Sequence, residues 1–166
     1  QNYQQLCHVR KKSLGDIELQ HNPARIVSTG ASIDKATIDR RPCFLCSKNR
    51  DDRQMAKVLD CGLELLVNPF PILPMHFTLP TCKHQPQDVR LLYGSIHSLL
   101  EHFPEIMVFY NGPRCGASAP DHAHLQAGTS GLLPLQACWQ RLCRSLETVC
   151  EEDDGAQLSY ITEYTV

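Results

Sequence analysis

One short run of this 166-residue chain combines residue types that could do phosphate chemistry. Residues 121–126 read Asp-His-Ala-His-Leu-Gln, so His122, His124 and Gln126 recur at every second position. In an extended strand such positions share one face, so the spacing predicts two imidazoles and an amide side by side. A neutral imidazole is a good nucleophile at pH 7. The alternative is a pair of solvent-facing histidines on an edge strand.

The segment just upstream has the composition of a phosphate-binding loop. Residues 111–118 read Asn-Gly-Pro-Arg-Cys-Gly-Ala-Ser, with two glycines, an arginine and small side chains. Such a loop lets backbone N–H groups approach an anion closely. A nucleophile beside an anion-binding loop predicts chemistry on a phosphate group.

A Cys-x-x-Cys pair, Cys43 and Cys46, adds a candidate metal site, because this spacing lets two thiolates reach one tetrahedral ion. A redox pair of the thioredoxin type is the alternative. Metal is favoured because no βαβ pattern flanks the motif and the eight histidines offer further ligands. The odd number of nine cysteines, most with apolar neighbours, fits reduced and buried thiols better than a disulfide scaffold.

Length and charge narrow the class of protein. A chain of 166 residues is long enough for one domain with a core. Its 16 basic and 18 acidic residues are mixed along the chain, for a net charge of −2, which argues against nucleic acid or a membrane surface as the main partner. No apolar run approaches the roughly 20 residues of a membrane span, and the N-terminal residues do not form a signal peptide. These features predict a soluble, cytoplasmic protein.

The candidate chemical residues must be positioned by strands and helices that the hydrophobic pattern predicts. Strands are expected at residues 16–20, 25–29, 60–67, 75–79, 105–110 and 121–127, and helices at residues 87–103 and 135–150. Three prolines within residues 68–74 exclude regular structure there. The predicted fold is α+β, a mostly antiparallel sheet flanked by helices, with the strand at 121–127 inside the sheet and paired with the strand at 105–110.

Domain organisation is predicted from the acidic turn at residues 151–155. Residues 1–156 are expected to form one domain, and the alternating residues 157–166 to begin a C-terminal half that is missing from this sequence. The chain also starts without Met, so both ends are expected to be cuts from a longer protein.

Several motifs together resemble a known family. They are Cys43-Phe44-Leu45-Cys46, Val67-Asn68-Pro69-Phe70-Pro71, His76 through Lys83-His84, the Asn111 loop and His122-Ala123-His124-Leu125-Gln126. Over roughly residues 25–128 the chain resembles galactose-1-phosphate uridylyltransferases and their relatives, the ATP adenylyltransferases (dinucleoside polyphosphate phosphorylases) and GDP-hexose phosphorylases. These form the transferase branch of the histidine triad superfamily. The resemblance implies a histidine-triad-like fold and is specific to the superfamily rather than to a substrate.

The resemblance implies a role for the last two residues of the motif. His124 would attack the α-phosphorus of a nucleotide donor and form a covalent nucleotidyl-histidine. Hydrolytic relatives carry a third histidine where this chain has Gln126. An amide can hold a phosphate oxygen but cannot shuttle a proton, so Gln126 favours transfer to a phosphate acceptor over hydrolysis.

The resemblance also implies which residues bind the donor. The loop that contains Asn111, Gly116 and Ser118 would hold non-bridging phosphate oxygens, and Arg114 would supply charge as transfer proceeds. Asn68 matches a position that contacts the nucleoside, although Asn before Pro is also a common turn former. Arg25 matches an arginine near the phosphates, although an arginine at a strand start is also a common surface residue.

For the metal, the resemblance implies a Cys2His2 site made of Cys43, Cys46, His84 and His122. This donor set suits structural zinc, with iron as a substitute. His76 is the other candidate ligand, but its strand context predicts a packed strand histidine.

The sequence thus predicts a nucleotidyltransferase or phosphorylase of the uridylyltransferase-like or adenylyltransferase-like type. The donor would be a nucleoside diphosphate sugar or a dinucleoside polyphosphate, the acceptor would bear a phosphate, and the resemblance implies a homodimer. Two alternatives remain, a non-catalytic nucleotide-binding or zinc-stabilised interaction module, and a histidine triad hydrolase. The chain departs from the uridylyltransferases proper in having one more residue between Ser118 and His122.

Overall fold

A computed structural model describes residues 2–15, 17–26, 30 and 32–162 of the chain. These residues form two compact units, one from the described parts of 1–10 and 21–130, the other from the described parts of 11–20 and 131–166. Helices and antiparallel strands are both present, so the predicted α+β class is confirmed. Within the described residues, no helix is long and apolar enough to cross a membrane.

The first unit is built on a five-stranded sheet in which every neighbouring pair is antiparallel. Its strands lie in the order β3-β4-β5-β7-β6. Their bounds are Ala56–Val58 for β3, Glu64–Val67 for β4, His76–Pro80 for β5, Ile106–Phe109 for β6 and His124–Thr129 for β7. The strand that carries His124 therefore lies inside the sheet between β5 and β6, as predicted.

The core of this unit lies against the middle strands. Its buried members are Leu63, Leu79, Leu92, Leu99, Ala123, Leu125 and Ala127. Leucine and alanine alternate with the site residues along β7, because successive side chains of a strand point to opposite faces. The apolar face of β7 is thus anchored in the core, and this anchoring positions its other face.

The predicted helix at 87–103 is shorter in the structure. Helix α2 spans Tyr93–His102 and follows a 3-10 turn at Val89–Leu91, whose N-terminal cap is Asp88. Leu99 is the side chain of α2 that is buried in the core. Gln87 precedes the Asp88 cap and lies outside the helical segment, and its side chain is hydrogen-bonded to the backbone of His124.

Other strand predictions are partly confirmed. Strand β2 spans Ile17–His21 and forms a two-stranded sheet with β1, Arg10–Leu14. A 3-10 turn at Pro23–Arg25 occupies the start of the strand predicted at 25–29, because Pro23 favours the first position of a helical turn. Residue 16 and residues 27–29 of these predictions lie outside the described residues. Helix α1 spans Lys35–Arg40 and is capped by the Asp34 side chain, which accepts from Thr37 N–H.

The prediction of a helix over residues 135–150 was wrong in its second half. Helix α3 spans Pro134–Leu142, a 3-10 turn follows at Cys143–Ser145, and strand β8 spans Leu146–Glu151. Strand β9, Gln157–Ile161, pairs with β8 in an antiparallel hairpin. The β-branched Thr148 and Val149 and the tight turn at Gly155 (φ 84°) favour this hairpin over a continued helix. That residues 157–166 begin a further half stays a prediction.

Candidate active site and metal centre

His124 is the first residue of β7 and is almost completely buried, with 4% of its surface exposed. Its Nδ1 lies 2.7 Å from the backbone carbonyl of His122. Because a carbonyl oxygen only accepts, the ring hydrogen lies on Nδ1 and the lone pair lies on Nε2. Burial lowers the pKa of His124, which keeps the ring neutral at pH 7. The residue therefore has the protonation state that a nucleophile needs.

Gln126 is held by a second buried histidine. His76 lies on β5, where its Nδ1 accepts a hydrogen bond of 3.2 Å from Ile72 N–H. The hydrogen of this ring must therefore lie on Nε2, which donates to Gln126 Oε1 over 2.7 Å. With its oxygen engaged, Gln126 offers its NH2 group as a donor. Burial lowers the pKa of His76 to about 4, so this arrangement is neutral at pH 7.

A cavity of about 280 Å³ brings together most of the residues that were predicted to act on the donor. His124, Gln126, Ser118, Gly116, Asn68 and Arg25 all line it. Another part of its wall is apolar and consists of Phe44, Leu45, Leu66 and Val67. The cavity thus combines polar groups around His124 with a surface suited to a flat, mostly apolar ring.

The glycine-rich loop contributes to this cavity through its second half. Backbone N–H groups of Cys115 and Ala117 donate to Gly112 C=O over 2.9 and 3.3 Å, and Gly116 takes a φ of 93° that favours glycine. Arg114 is exposed, and neither it nor Asn111 lines the cavity. The roles predicted for these two residues stay predictions.

The side chain of Asn68 forms two hydrogen bonds within the protein. Its Nδ2 donates to Thr78 Oγ1 over 2.9 Å, and its Oδ1 accepts from Phe70 N–H over 2.8 Å. The second bond is the Asx turn that the alternative interpretation of Asn before Pro describes. Asn68 thus shapes the cavity wall, and its contact with a nucleoside stays a prediction.

His122 departs from the prediction of one shared strand face. It lies before β7, in a turn where its N–H donates to Ala119 C=O over 3.2 Å, so strand alternation does not extend to it. Its Nδ1 lies 3.3 Å from Cys43 Sγ and 3.6 Å from Cys46 Sγ. The two histidines of the motif therefore serve different sites.

The four predicted metal ligands form one cluster. One ligand atom from each of Cys43, Cys46, His84 and His122 lies within 4.8 Å of the other three, and Cys46 Sγ is 3.2 Å from His84 Nδ1. Tetrahedral zinc with Zn–S of about 2.3 Å and Zn–N of about 2.0 Å separates its ligand atoms by roughly 3.3 to 3.8 Å. The donor set and the three separations of 3.2 to 3.6 Å between thiol sulfurs and imidazole nitrogens suit a zinc ion, and this cluster could hold a metal.

Neighbouring groups prepare these ligands for a cation. His122 Nε2 donates to Thr81 C=O over 2.9 Å, which leaves the lone pair on Nδ1, the atom beside the thiols. Burial raises the pKa of Cys43 to about 11, so its thiolate form needs a nearby cation. Cys43, Cys46 and His84 also line an open cleft, which gives an ion a path to the cluster.

Several contributors were not predicted. Arg50 and Gln54 also line the cavity, and Arg50 forms an ion pair with Glu64. Arg41 forms an ion pair of 2.9 Å with Asp121 and donates to Ser118 C=O over 3.3 Å. Arg41 and Asp121 lie 80 residues apart, so the local sequence does not indicate their pairing.

The chain matches, over residues 1–129, the sequence model of a family described as "Domain of unknown function (DUF4922)". No curated protein matches it. Among solved structures it is similar to a crystal structure of the yeast Ap4A phosphorylase Apa2 in complex with AMP, with a TM-score of 0.47 and 20% identity over 93% of this chain and 57% of that chain. A second structure of Apa2 gives a TM-score of 0.44 and 20% identity, over 90% and 48% respectively. The chain spans about half the length of these proteins.

Proposed function

This chain belongs to the family described as a domain of unknown function, DUF4922, and we propose from its own residues that it transfers nucleotidyl groups through a covalent intermediate on His124. The observation that carries the proposal is the state of that imidazole. His124 is neutral, its Nδ1–H is held by a carbonyl, and it lines a cavity that also contains Gln126, Ser118 and Gly116. These are the parts that phosphoryl chemistry needs, a fixed nucleophile and donors for the phosphate oxygens.

In the first step His124 Nε2 attacks the α-phosphorus of the donor. The N–P bond forms while the bond from phosphorus to the bridging oxygen breaks, and the electron pair of that bond leaves with the departing phosphate. The ring keeps its Nδ1 hydrogen and becomes positively charged, and the hydrogen bond to His122 C=O stabilises that charge. In the second step a phosphate oxygen of the acceptor attacks the phosphorus, the N–P bond breaks, and the lone pair returns to Nε2.

Gln126 supports transfer to a phosphate over hydrolysis. Its Oε1 is engaged by His76 Nε2–H, so the side chain presents N–H donors to the cavity. Neither the amide nor a histidine that donates through Nε2 can take a proton from water. An acceptor phosphate is already ionised and needs no general base, whereas water does.

The cavity supports a nucleotide as the donor. The apolar wall of Phe44, Leu45, Leu66 and Val67 would receive the nucleoside, and Arg25 would meet the negative charge of the phosphates. An apolar wall together with a group of polar and charged side chains favours a nucleoside diphosphate sugar or a dinucleoside polyphosphate as the donor. It fits uridylyltransferase-like and adenylyltransferase-like reactions alike. A homodimer, which the family resemblance implies, is also part of the proposal.

Zinc would be held by Cys43, Cys46, His84 and His122 and would act structurally, by joining the Cys-x-x-Cys turn to the segment before β7. His122 belongs to that cluster and lies two residues before the proposed nucleophile, His124. The ion would thus keep His124 in place without contacting the substrate.

Labelling of the protein tests this proposal. Incubation with nucleotide sugars or dinucleoside polyphosphates carrying a radioactive α-phosphate should give an acid-labile, alkali-stable label. His124→Ala should abolish it while leaving fold and metal content intact, and His124→Gly with added imidazole should restore turnover of the donor. His97→Ala, on the exposed face of α2, is the matched control and should label like the parent.

Other outcomes select the alternatives. A donor that binds, as a rise in Tm shows, without ever labelling the protein identifies a non-catalytic binding module. Steady turnover with water and no phosphate acceptor identifies a hydrolase. A label that persists in His124→Ala overturns the assignment of the nucleophile.

A further inference from the structure

Gln87 is a buried polar residue next to the nucleophile, with 4% of its surface exposed. It lies three residues after His84 of the candidate metal site, in a segment without regular secondary structure beside the start of β7. Backbone bonds hold the segment there, from Ala123 N–H to Gln85 C=O over 2.6 Å and from Gln87 N–H to Pro120 C=O over 3.2 Å.

The side-chain amide of Gln87 makes a complete set of bonds to the backbone around it. Its Oε1 accepts from His124 N–H over 2.7 Å. Its NH2 group donates to His124 C=O over 3.0 Å and to Asn111 C=O over 2.9 Å. Gln87 therefore holds both main-chain groups of the nucleophile and the first residue of the glycine-rich loop at once.

The register of the sheet shows what this amide replaces. Strands β6 and β7 are antiparallel, and Phe109 lies opposite Gln126 at the end of the pairing. One hydrogen-bonded rung further, Asn111 would lie opposite His124 and the two backbones would bond directly. Gln87 occupies that rung instead and bonds to both residues, so the two strands separate at the point where the loop begins.

We propose that Gln87 is a positioning residue for nucleotidyl transfer, whose amide substitutes for the rung between His124 and Asn111 and holds the nucleophile at a set distance from the glycine-rich loop. This inference rests on the proposed function of His124. The gap that Gln87 maintains lies between the strand that carries the nucleophile and the loop whose backbone lines the cavity through Gly116. Loss of the amide would leave His124 N–H, His124 C=O and Asn111 C=O without these hydrogen bonds.

Two variants of Gln87 separate its chemistry from its volume. Gln87→Met has nearly the same size and makes none of the three bonds. Gln87→Glu keeps the acceptor for His124 N–H but loses the donors to the two carbonyl groups. The matched control is Gln85→Ala, because Gln85 takes part in the arrangement through its backbone carbonyl, which the substitution keeps.

The experiment measures three quantities on the intact protein, the rate constant of nucleotidyl-protein formation at saturating donor, the donor concentration at half-saturation, and the hydrogen-exchange protection of the His124 amide. Displacements of about 1 Å at a reacting atom can cost about 100-fold in rate. We therefore expect both Gln87 variants to lower the rate constant by about 10- to 100-fold, with half-saturation changed less than about threefold and metal content unchanged. The His124 amide should lose protection in Gln87→Met and keep it in Gln87→Glu, while Gln85→Ala should match the parent.

The outcomes are distinguishable. If the parent labels on His124 and both variants label at the parental rate, the positioning role is wrong and the proposed function stands. If the parent never labels, the proposed function fails and this inference fails with it. Should one variant not fold, the other decides, and a fall in stability at an unchanged rate constant would show a merely structural residue.

Discussion

At the scale of single residues, the site is set by which ring nitrogen of each histidine carries the hydrogen. His122 and His124 are two positions apart, yet His122 donates from Nε2 and His124 from Nδ1, each to a backbone carbonyl. The remaining lone pair lies on Nδ1 of His122, among the metal ligands, and on Nε2 of His124. Carbonyl groups of the fold thus leave the lone pair of one imidazole beside the thiols and that of the other on Nε2, which suits the metal-binding and nucleophilic roles proposed above.

The protonation of His76 leads to a prediction about stability and pH. Burial lowers its pKa from 6.5 to about 4 in the folded protein. Between these two pH values the unfolded chain binds more protons than the folded protein. The contribution of neutral His76 to the free energy of unfolding is therefore fully present above about pH 6.5 and is lost as the pH falls towards 4. His76→Gln should make the free energy of unfolding less dependent on pH in this window, by up to about 1.4 kcal/mol per pH unit.

Denaturant unfolding at a series of pH values from 4 to 7.5 measures this slope. His97→Gln removes an exposed histidine and should leave the slope of the parent unchanged. Equal slopes for the parent and His76→Gln would contradict the prediction.

At the scale of elements, the interior position of β7 was predictable and its first residue was not. Apolar Leu125 and Ala127 alternate with Gln126 and Gly128, and this pattern indicates a strand with one face in the core. The strand begins at His124 because Asp121 and His122 form a turn that is tied to Ala119. Such a boundary depends on a neighbouring loop, and the alternation of polar and apolar residues does not record it.

Gly128 on β7 gives a prediction for this element. A Cβ atom there would lie 2.5 Å from Leu73 Cδ1 and 2.6 Å from the backbone oxygen of Met75. The backbone oxygen cannot rotate away, so Gly128→Ala should lower the free energy of unfolding by about 1 to 3 kcal/mol. Gly94→Ala on α2 is the control, since a Cβ there meets nothing within 4 Å.

Alanine is favoured over glycine in a helix, so Gly94→Ala should stabilise the protein by up to about 1 kcal/mol. Urea unfolding of the parent and both variants measures the two effects. Equal stability of Gly128→Ala and the parent would show that the loop at Leu73 can move away from β7.

At the scale of the whole molecule, the metal cluster joins segments that are distant in sequence. His122 lies 79 residues after Cys43, and His84 lies 38 residues after Cys46. A ligand that binds only the folded state stabilises it in proportion to RT ln(1 + [L]/Kd). A metal in this cluster would therefore stabilise the first unit as a whole.

We expect the purified protein to carry about one zinc or iron ion per chain. The reference is the protein at a free metal concentration 1,000 times the Kd. Compared with it, chelation should lower the free energy of unfolding by about 4 kcal/mol and the Tm by roughly 8 to 16 °C. Cys43→Ser should lose the metal, whereas Cys150→Ser, at an exposed thiol on β8, should keep it. Elemental analysis that finds no metal in the folded parent, or unchanged metal in Cys43→Ser, would contradict the site.

Much of the candidate site could be predicted because its motifs are local. The Cys-x-x-Cys pair, the glycine-rich loop and the H-x-H-x-Q run each have a spacing that indicates a chemistry. The family resemblance implied the complete ligand set, and the four side chains do meet in the structure. The helix over residues 135–150 was mispredicted because leucine and valine at helical spacing also suit a short hairpin, and pairing with β9 decides between them.

The sequence by itself determined the α+β class, the interior strand that carries His124 and the residue types of the candidate site, since these follow from periodicity and short spacings. Only the tertiary structure decided which ring nitrogen of each histidine carries the hydrogen, which atoms of its amide Gln126 presents to the cavity, and that Gln87 takes a rung of the sheet. The physical reason is that each of these depends on a hydrogen bond between residues 37 to 50 positions apart, or on a backbone carbonyl placed by such contacts. Local sequence patterns indicate which secondary structure a segment can form, whereas residues distant in sequence decide which hydrogen bond each polar atom makes.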